Sequence, residues 1–201
     1  MDKKPEQAPK KNRTPRKISS RYLENAALYY LQRYATSVEN LRRVLTRKVN
    51  KSCTFHETPP EPFYPEIEAL LQRYIASGLL NDKTYAEARV SSLRRQGRSR
   101  QAIAAKLKVK GLARDDINAA LELVDTETEA DNDTGHDAEF TAALKLARKR
   151  KIGPFRTKPL PEDILLQRKQ QQREMAVLAR GGFSFDIAKR ALSYDIEEYE
   201  D

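Results

Sequence analysis

The chain has 201 residues, 33% charged and 39% hydrophobic, with a formal net charge of +9, a single cysteine and no tryptophan; its mean hydropathy is −0.78. Cys53 alone excludes an intramolecular disulfide and fits a reducing compartment. No apolar run approaches the roughly 20 residues that span a bilayer, and no apolar segment follows the basic start, so a cytoplasmic protein without a membrane span is expected. So little apolar residue argues against one deep core and for small units that share cores, and the positive charge favours a polyanion, or a protein seated on one, as partner.

Residues 1–17 combine proline, lysine and arginine with almost nothing apolar. They are expected to be a basic disordered tail outside the fold, either solubilising or reaching phosphate. A first helical unit follows over 18–78. Ala27, Tyr30, Leu31 and Tyr34 lie at i, i+3, i+4 and i+7, the spacing of one helix face. Ser37 can cap a second helix with Val38, Leu41, Leu45 and Val49 facing inward and Arg42, Arg43, Arg47 and Lys48 outward. Prolines at 59, 60, 62 and 65 forbid a continuous helix and mark an insertion over 50–65. Ile67, Leu70, Leu71 and Tyr74 then restore the helical spacing, and Gly78 closes it. Cys53 and His56 have a Cys-x-x-His spacing, but a closed zinc site wants four ligands and the other histidine is His136. A structural role is therefore expected for both, with no metal and no cofactor.

The second unit, 79–124, punctuates itself most clearly. Asp82 or Thr84 can cap its first helix, with Glu87 completing a capping box after Thr84, and Gly97 should stop it. Ser99 starts a second helix that Gly111 ends, and a third begins near Ala113 with Ile117, Leu121 and Val124 on one face. Tyr85, Ala86, Val90, Leu93, Ile103 and Leu107 complete a small core. Residues 125–137 are acidic and read as a linker. A third unit, 138–196, opens with Phe140, Ala143, Leu144 and Ala147 and the basic run Arg148 to Lys151, stopped by Gly153 and Pro154. A helix between about Pro161 and Arg180 carries Ile164, Leu165, Met175 and Leu178, Gly182 ends it, and Ile187, Ala191 and Leu192 lie in the last helix. Residues 197–201 form an acidic tail.

Leu107 to Leu121, LKVKGLARDDINAAL, aligns without a gap on Leu178 to Leu192, LARGGFSFDIAKRAL. Leu107 matches Leu178, Gly111 matches Gly182 and Leu112 matches Phe183. The stretch from Ser37, SVENLRRVLTRKV, resembles SRQAIAAKLKVKG but has Val49 where the glycine would be. Each triplet of helices is thus a copy of one unit. The fold class expected is all-α and elongated, built of three tandem three-helix, helix-turn-helix-like repeats.

Leu80-Asn81-Asp82, Tyr85-Ala86, the turn Arg94-Arg95-Gln96-Gly97-Arg98-Ser99, Leu107 to Leu112, Gly182 to Asp186, and Ala191-Leu192 form a set of motifs. On these residues the chain resembles the RecX regulatory proteins of bacterial recombination. The resemblance runs from about residue 20 to 194. The proline-rich insertion between Val49 and Ile67 and the long stretch from Gly153 to about Lys169 depart from it. It implies binding to the RecA filament on DNA, within its helical groove, and restraint of the filament's ATPase, strand-exchange and coprotease activities in DNA repair and the SOS response.

From the residues themselves, the candidate contacts are basic clusters expected to be exposed. Arg94, Arg95, Arg98 and Arg100 surround the Gly97 turn, and Lys106, Lys108 and Lys110 extend that surface. Arg42, Arg43, Arg47 and Lys48 do the same in the first repeat, and Arg148, Lys149, Arg150 and Lys151 in the third. The alternative for each is an ordinary solvated helix face. No phosphate-cradling glycine loop, nucleophile elbow or cluster of metal ligands is present, so no enzyme is expected. The partner that the resemblance implies is the RecA filament, with weak DNA contact expected beside it, bound by a monomer. The rival reading is direct DNA binding by helix-turn-helix-like units.

Overall fold

A computed structural model describes residues 14–130 and 137–195. The described residues form α-helices and one 3-10 turn, with no strand: α1 (Ser20–Leu31), α2 (Val38–His56), α3 (Phe63–Ala76), α4 (Asp82–Arg95), α5 (Arg100–Val109), α6 (Arg114–Ala130), α7 (Ala138–Arg150), the turn Gly153–Phe155, α8 (Ile164–Arg180) and α9 (Phe185–Leu192). They divide into two compact units, one holding the chain up to Ala35 with Leu41–Leu79, the other holding Thr36–Asn40 with Leu80 onward.

In the first unit, Leu23 and Ala27 of α1, Leu41, Leu45, Val49 and Cys53 of α2, and Ile67, Leu70 and Leu71 of α3 are all buried. Two expectations change here. α1 stops at Leu31, so Tyr34 falls beyond the helix and is 56% exposed instead of lying on its inner face. α2 does not end near Val49 but runs seven residues further to His56, because a buried valine, unlike a glycine, continues a helix. Part of the expected tail also joins the fold. The Ser52 hydroxyl donates to the Arg16 carbonyl (2.7 Å), and the His56 Nε2 lies 2.9 Å from the Pro15 carbonyl. Residues 1–13 lie outside the described residues. The prolines act as breakers only up to α3, where Pro62 is the N-cap and Pro65 sits in the first turn, whose N–H groups have no helical partner to lose.

The second unit has two cores. Tyr85, Ala86, Val90 and Leu93 of α4 pack with Ile103 and Leu107 of α5 and Ile117, Leu121 and Val124 of α6. Phe140, Ala143, Leu144 and Ala147 of α7 pack with Leu178, Phe183, Ala188 and Ala191. The aligned segments share one backbone geometry: Leu112 N–H donates to the Leu107 carbonyl (3.3 Å), and Phe183 N–H to the Leu178 carbonyl (3.2 Å). Each is the six-residue closure of a Schellman cap. α4 ends the same way, with Arg98 N–H on the Leu93 carbonyl and Gly97 at φ +74°.

Three local expectations differ. Asn81, rather than Asp82 or Thr84, caps α4, its Oδ1 accepting from the N–H groups of Lys83 and Thr84 (3.0 and 3.2 Å). The linker expected from residue 125 is helical to Ala130, since α6 continues and buries Asp125; residues 131–136 lie outside the described residues. In α8 the N-terminal turn stands clear of the core, with Ile164 66% and Leu165 73% exposed, while Glu174 and Leu178 are buried. Glu174 is held by Arg156 (2.7 and 2.5 Å), Gln170 (2.9 Å) and the N–H of Gly153 (3.1 Å). Burial alone would raise its pKa; the hydrogen bonds from Arg156, Gln170 and Gly153 outweigh that and hold it below the usual value.

Candidate functional site

The arginine-rich turn between α4 and α5 separates into a buried layer and an exposed layer. Arg94 is 5% exposed. It is positioned on the α4 face that meets α6, and its guanidinium makes a forked pair with Asp125 of α6 (2.8 and 2.7 Å). It also donates to Glu139 of α7 (2.5 Å) and to the Arg98 carbonyl (3.2 Å). Burial works against its charge, but the bonds to Asp125 and Glu139 more than compensate and raise its pKa. The expectation that Arg94 is an exposed contact residue is therefore corrected: two carboxylates and a carbonyl use its donors inside the fold. Arg100 is intermediate in role, with its side chain 47% exposed and 3.1 Å from Asp125.

Beneath the turn lies a junction that the chain uses twice. The Ser99 hydroxyl caps α5, accepting from Ala102 N–H (3.1 Å), and donates to the carbonyl of Gly181, the C-cap of α8 (2.6 Å). Arg100 N–H donates to the Glu139 carboxylate (3.0 Å). The Thr36–Asn40 segment repeats every part of this within the second unit. The Ser37 hydroxyl accepts from Asn40 N–H (3.2 Å) and donates to the carbonyl of Lys110, the C-cap of α5 (2.5 Å), and Val38 N–H donates to Asp82 Oδ1 (2.9 Å). In both places a cap serine and the first N–H of a helix are seated on a carbonyl at one helix end and a carboxylate in another helix's first turn. The opposed partial charges of helix ends make the arrangement favourable. Gly97 allows close approach: a Cβ there would stand 2.9 Å from the Leu146 nitrogen and 3.0 Å from the Ala142 carbonyl oxygen of α7.

The exposed layer holds Arg95, Arg98, Lys106, Lys108 and Lys110 of the second repeat. Arg95 reaches Ser91 (3.3 Å), and Lys110 reaches Asn40 (3.3 Å). In the first unit Arg43, Arg47 and Lys48 are exposed, whereas Arg42 is half-buried and forked to Glu68 (2.6 and 3.0 Å). Arg148, Lys149, Arg150 and Lys151 are all exposed at the end of α7, Lys151 in the left-handed conformation (φ +54°). Lys151 occupies the cap position that Gly97 fills after α4, since Ile152 N–H closes onto the Ala147 carbonyl as Arg98 does onto Leu93. The basic runs after α4 and α7 are therefore at matching places on two repeats.

Sequence reasoning missed Asp125, Glu139 and the donor role of the serines. Asp125 was hidden in an acidic stretch read as linker. The serines carried a signal: Ser37 and Ser99 fall at the same position of the aligned repeats.

The model of the RecX second three-helix domain matches residues 81–121. The chain is 42% identical over 191 residues to "Regulatory protein RecX" of Myxococcus xanthus, covering 95% of this chain and 93% of that protein. It is 33% identical over 184 residues to "Regulatory protein RecX" of Agrobacterium fabrum, covering 90% and 86%. The crystal structure of RecX from Lactobacillus salivarius resembles it with a TM-score of 0.57 over 86% of this chain and 94% of that one; at 22% identity the likeness speaks for the fold alone. Nearly the whole length, and not only the best-preserved repeat, is thus matched, and the chain belongs to the RecX family of regulatory proteins.

Proposed function

We propose that this protein binds RecA-type recombinase filaments on DNA and restrains their ATPase, strand-exchange and coprotease activities, acting as a cytoplasmic monomer. The observation that carries the reading is the recurrence of exposed cations at matching helix ends, Arg95 and Arg98 after α4 and Arg148 to Lys151 after α7. A repeated surface suits a repeated partner. Once one repeat has engaged a filament subunit, the next contact is intramolecular, so modest individual contacts accumulate into useful avidity. Bridging subunits shifts the filament between geometries by no more than the difference in affinity for the two.

The contact residues in this reading are Arg95, Arg98, Lys106, Lys108 and Lys110 with Arg148, Lys149, Arg150 and Lys151 on the second unit, and, as a cluster of its own on the first unit, Arg43, Arg47 and Lys48. Arg94 is buried under the second unit's cations by its carboxylate partners, Arg42 is half-buried against Glu68 in the first unit, and Arg100, exposed but paired with Asp125, stands at the edge of the contact residues. Among the described residues no helix is long and apolar enough to cross a membrane. The test is the DNA-dependent ATPase of a RecA filament with and without this protein, with binding to the bare DNA measured alongside.

A further inference from the structure

Lys106 and Lys110 do more than add charge to the surface, because they border an apolar groove. It lies between α4 and α5, encloses about 360 Å³, and every residue lining it belongs to the second unit. The buried Leu93 and Leu107 close its base, and Val109, 71% exposed at the last turn of α5, stands at its side. Arg89 and Leu93 are four residues apart on α4, and Lys106, Val109 and Lys110 follow at spacings of three and four along α5 and its C-cap, so each helix sets cations one turn from an apolar residue. Arg89 and Lys106 are exposed, Lys110 reaches Asn40 (3.3 Å), and no carboxylate lines the groove.

We propose that this groove receives a protein segment in which one large apolar side chain is flanked by carboxylates, the anchor filling the trough and the acids meeting Arg89, Lys106 and Lys110. The proposal deepens the filament reading, and rests on it only for the identity of the partner, the recombinase's protein surface as distinct from its DNA. Charge decides the sign of the occupant, since three cations and no anion line the groove. The apolar centre decides its class. A phosphate backbone brings charge but no apolar group for the trough, and no aromatic ring lines the groove for a base to stack on. A single exposed valine needs no explanation by itself; here it shares a trough with two leucines from two helices, and the aliphatic stems of the surrounding cations extend the apolar wall. A desolvated anchor within a charged rim is how protein interfaces concentrate affinity.

The experiment uses the full chain and two probes: a ten-residue glutamate peptide with one central phenylalanine, and the same peptide with glutamate throughout. Binding is followed by the amide signals of the protein in heteronuclear NMR. The phenylalanine peptide should move the signals of Lys106, Val109 and Lys110, bind Val109→Ser about fivefold more weakly than the wild type, and keep its affinity for Val109→Leu. The all-glutamate peptide should bind the wild type more weakly, bind Val109→Ser equally, and be released by salt. Equal affinity of the wild type for the two peptides, or of the phenylalanine peptide for the wild type and Val109→Ser, overturns the proposal. In a second arm, Val109→Ser should need a several-fold higher concentration to lower the ATPase of a RecA filament while its affinity for bare DNA is unchanged. An equal loss on bare DNA would assign the groove to nucleic acid and overturn the proposal. A wild type without effect on the filament overturns the filament reading alone, and the peptides still decide the groove. Circular dichroism checks that Val109→Ser keeps its helices, as an exposed position at a helix end should.

Discussion

At the α4–α5 turn, burial separates a basic side chain held inside the fold from one displayed to solvent, with Arg100 between the two. Arg94 and Arg95 are neighbours in α4, yet Arg94 has two carboxylates on its guanidinium and Arg95 faces solvent. Arg94→Ala removes the forked partner of Asp125, whose side chain is 11% exposed, leaving it the single 3.1 Å contact to Arg100, and is predicted to cost about 3 kcal/mol, seen as a lowered melting temperature. Arg95→Ala should change stability by less than about 0.5 kcal/mol. If thermal melts find the two variants equally stable, the buried layer described here is wrong.

Glu174 gives the matching prediction for pH. Its folded pKa lies below the usual 4.5, so its pairing contributes in full above that value. The contribution begins to fall as pH drops below about 4.5 and is lost through the lower folded pKa. Glu174→Gln should therefore narrow the gap in stability between pH 7 and pH 3 in urea unfolding. An unchanged gap would mean that this carboxylate is not what acid disrupts.

At the scale of elements, the chain's own punctuation made the helices of the second repeat readable. Ser99, Gly97 and Gly111 cap or close helices for reasons of backbone geometry that no tertiary contact has to supply. The reading failed where local signals were overridden. Asp125 looks like linker until α6 places it against Arg94, and Tyr34 keeps the spacing of a helix that has already ended. Ile164 and Leu165 look like core because apolarity says nothing about whether a neighbour is there to cover it. The candidate site was legible as a set of cations; its division into buried and exposed layers depends on partners dozens of residues away.

The junctions between elements can be tested with two glycines of the same conformation. Gly78 and Gly97 both have φ of +74°, but a Cβ at Gly78 meets nothing within 4 Å while one at Gly97 runs into the α7 backbone. Gly78→Ala should cost about 1 kcal/mol, the price of the left-handed conformation alone, and Gly97→Ala distinctly more. Equal losses in denaturant melts would contradict a tight seat of the turn on α7.

For the whole molecule, the repeated junction and the repeated basic surface have a common logic. Serine hydroxyls and first-turn carboxylates use the same contacts at two places to seat helix ends, and cations are displayed at matching positions outside. A protein made this way is suited to a partner that repeats. The most direct measurement is the DNA-dependent ATPase of a RecA filament titrated with the wild type and with a variant in which Arg95, Arg98, Lys106 and Lys108 are all alanine. The wild type should lower the rate at concentrations where it scarcely binds the bare DNA, and the variant, with unchanged helical content, should need a several-fold higher concentration. Confirmed filament binding with no change in ATPase, or full inhibition by the variant, would contradict the account.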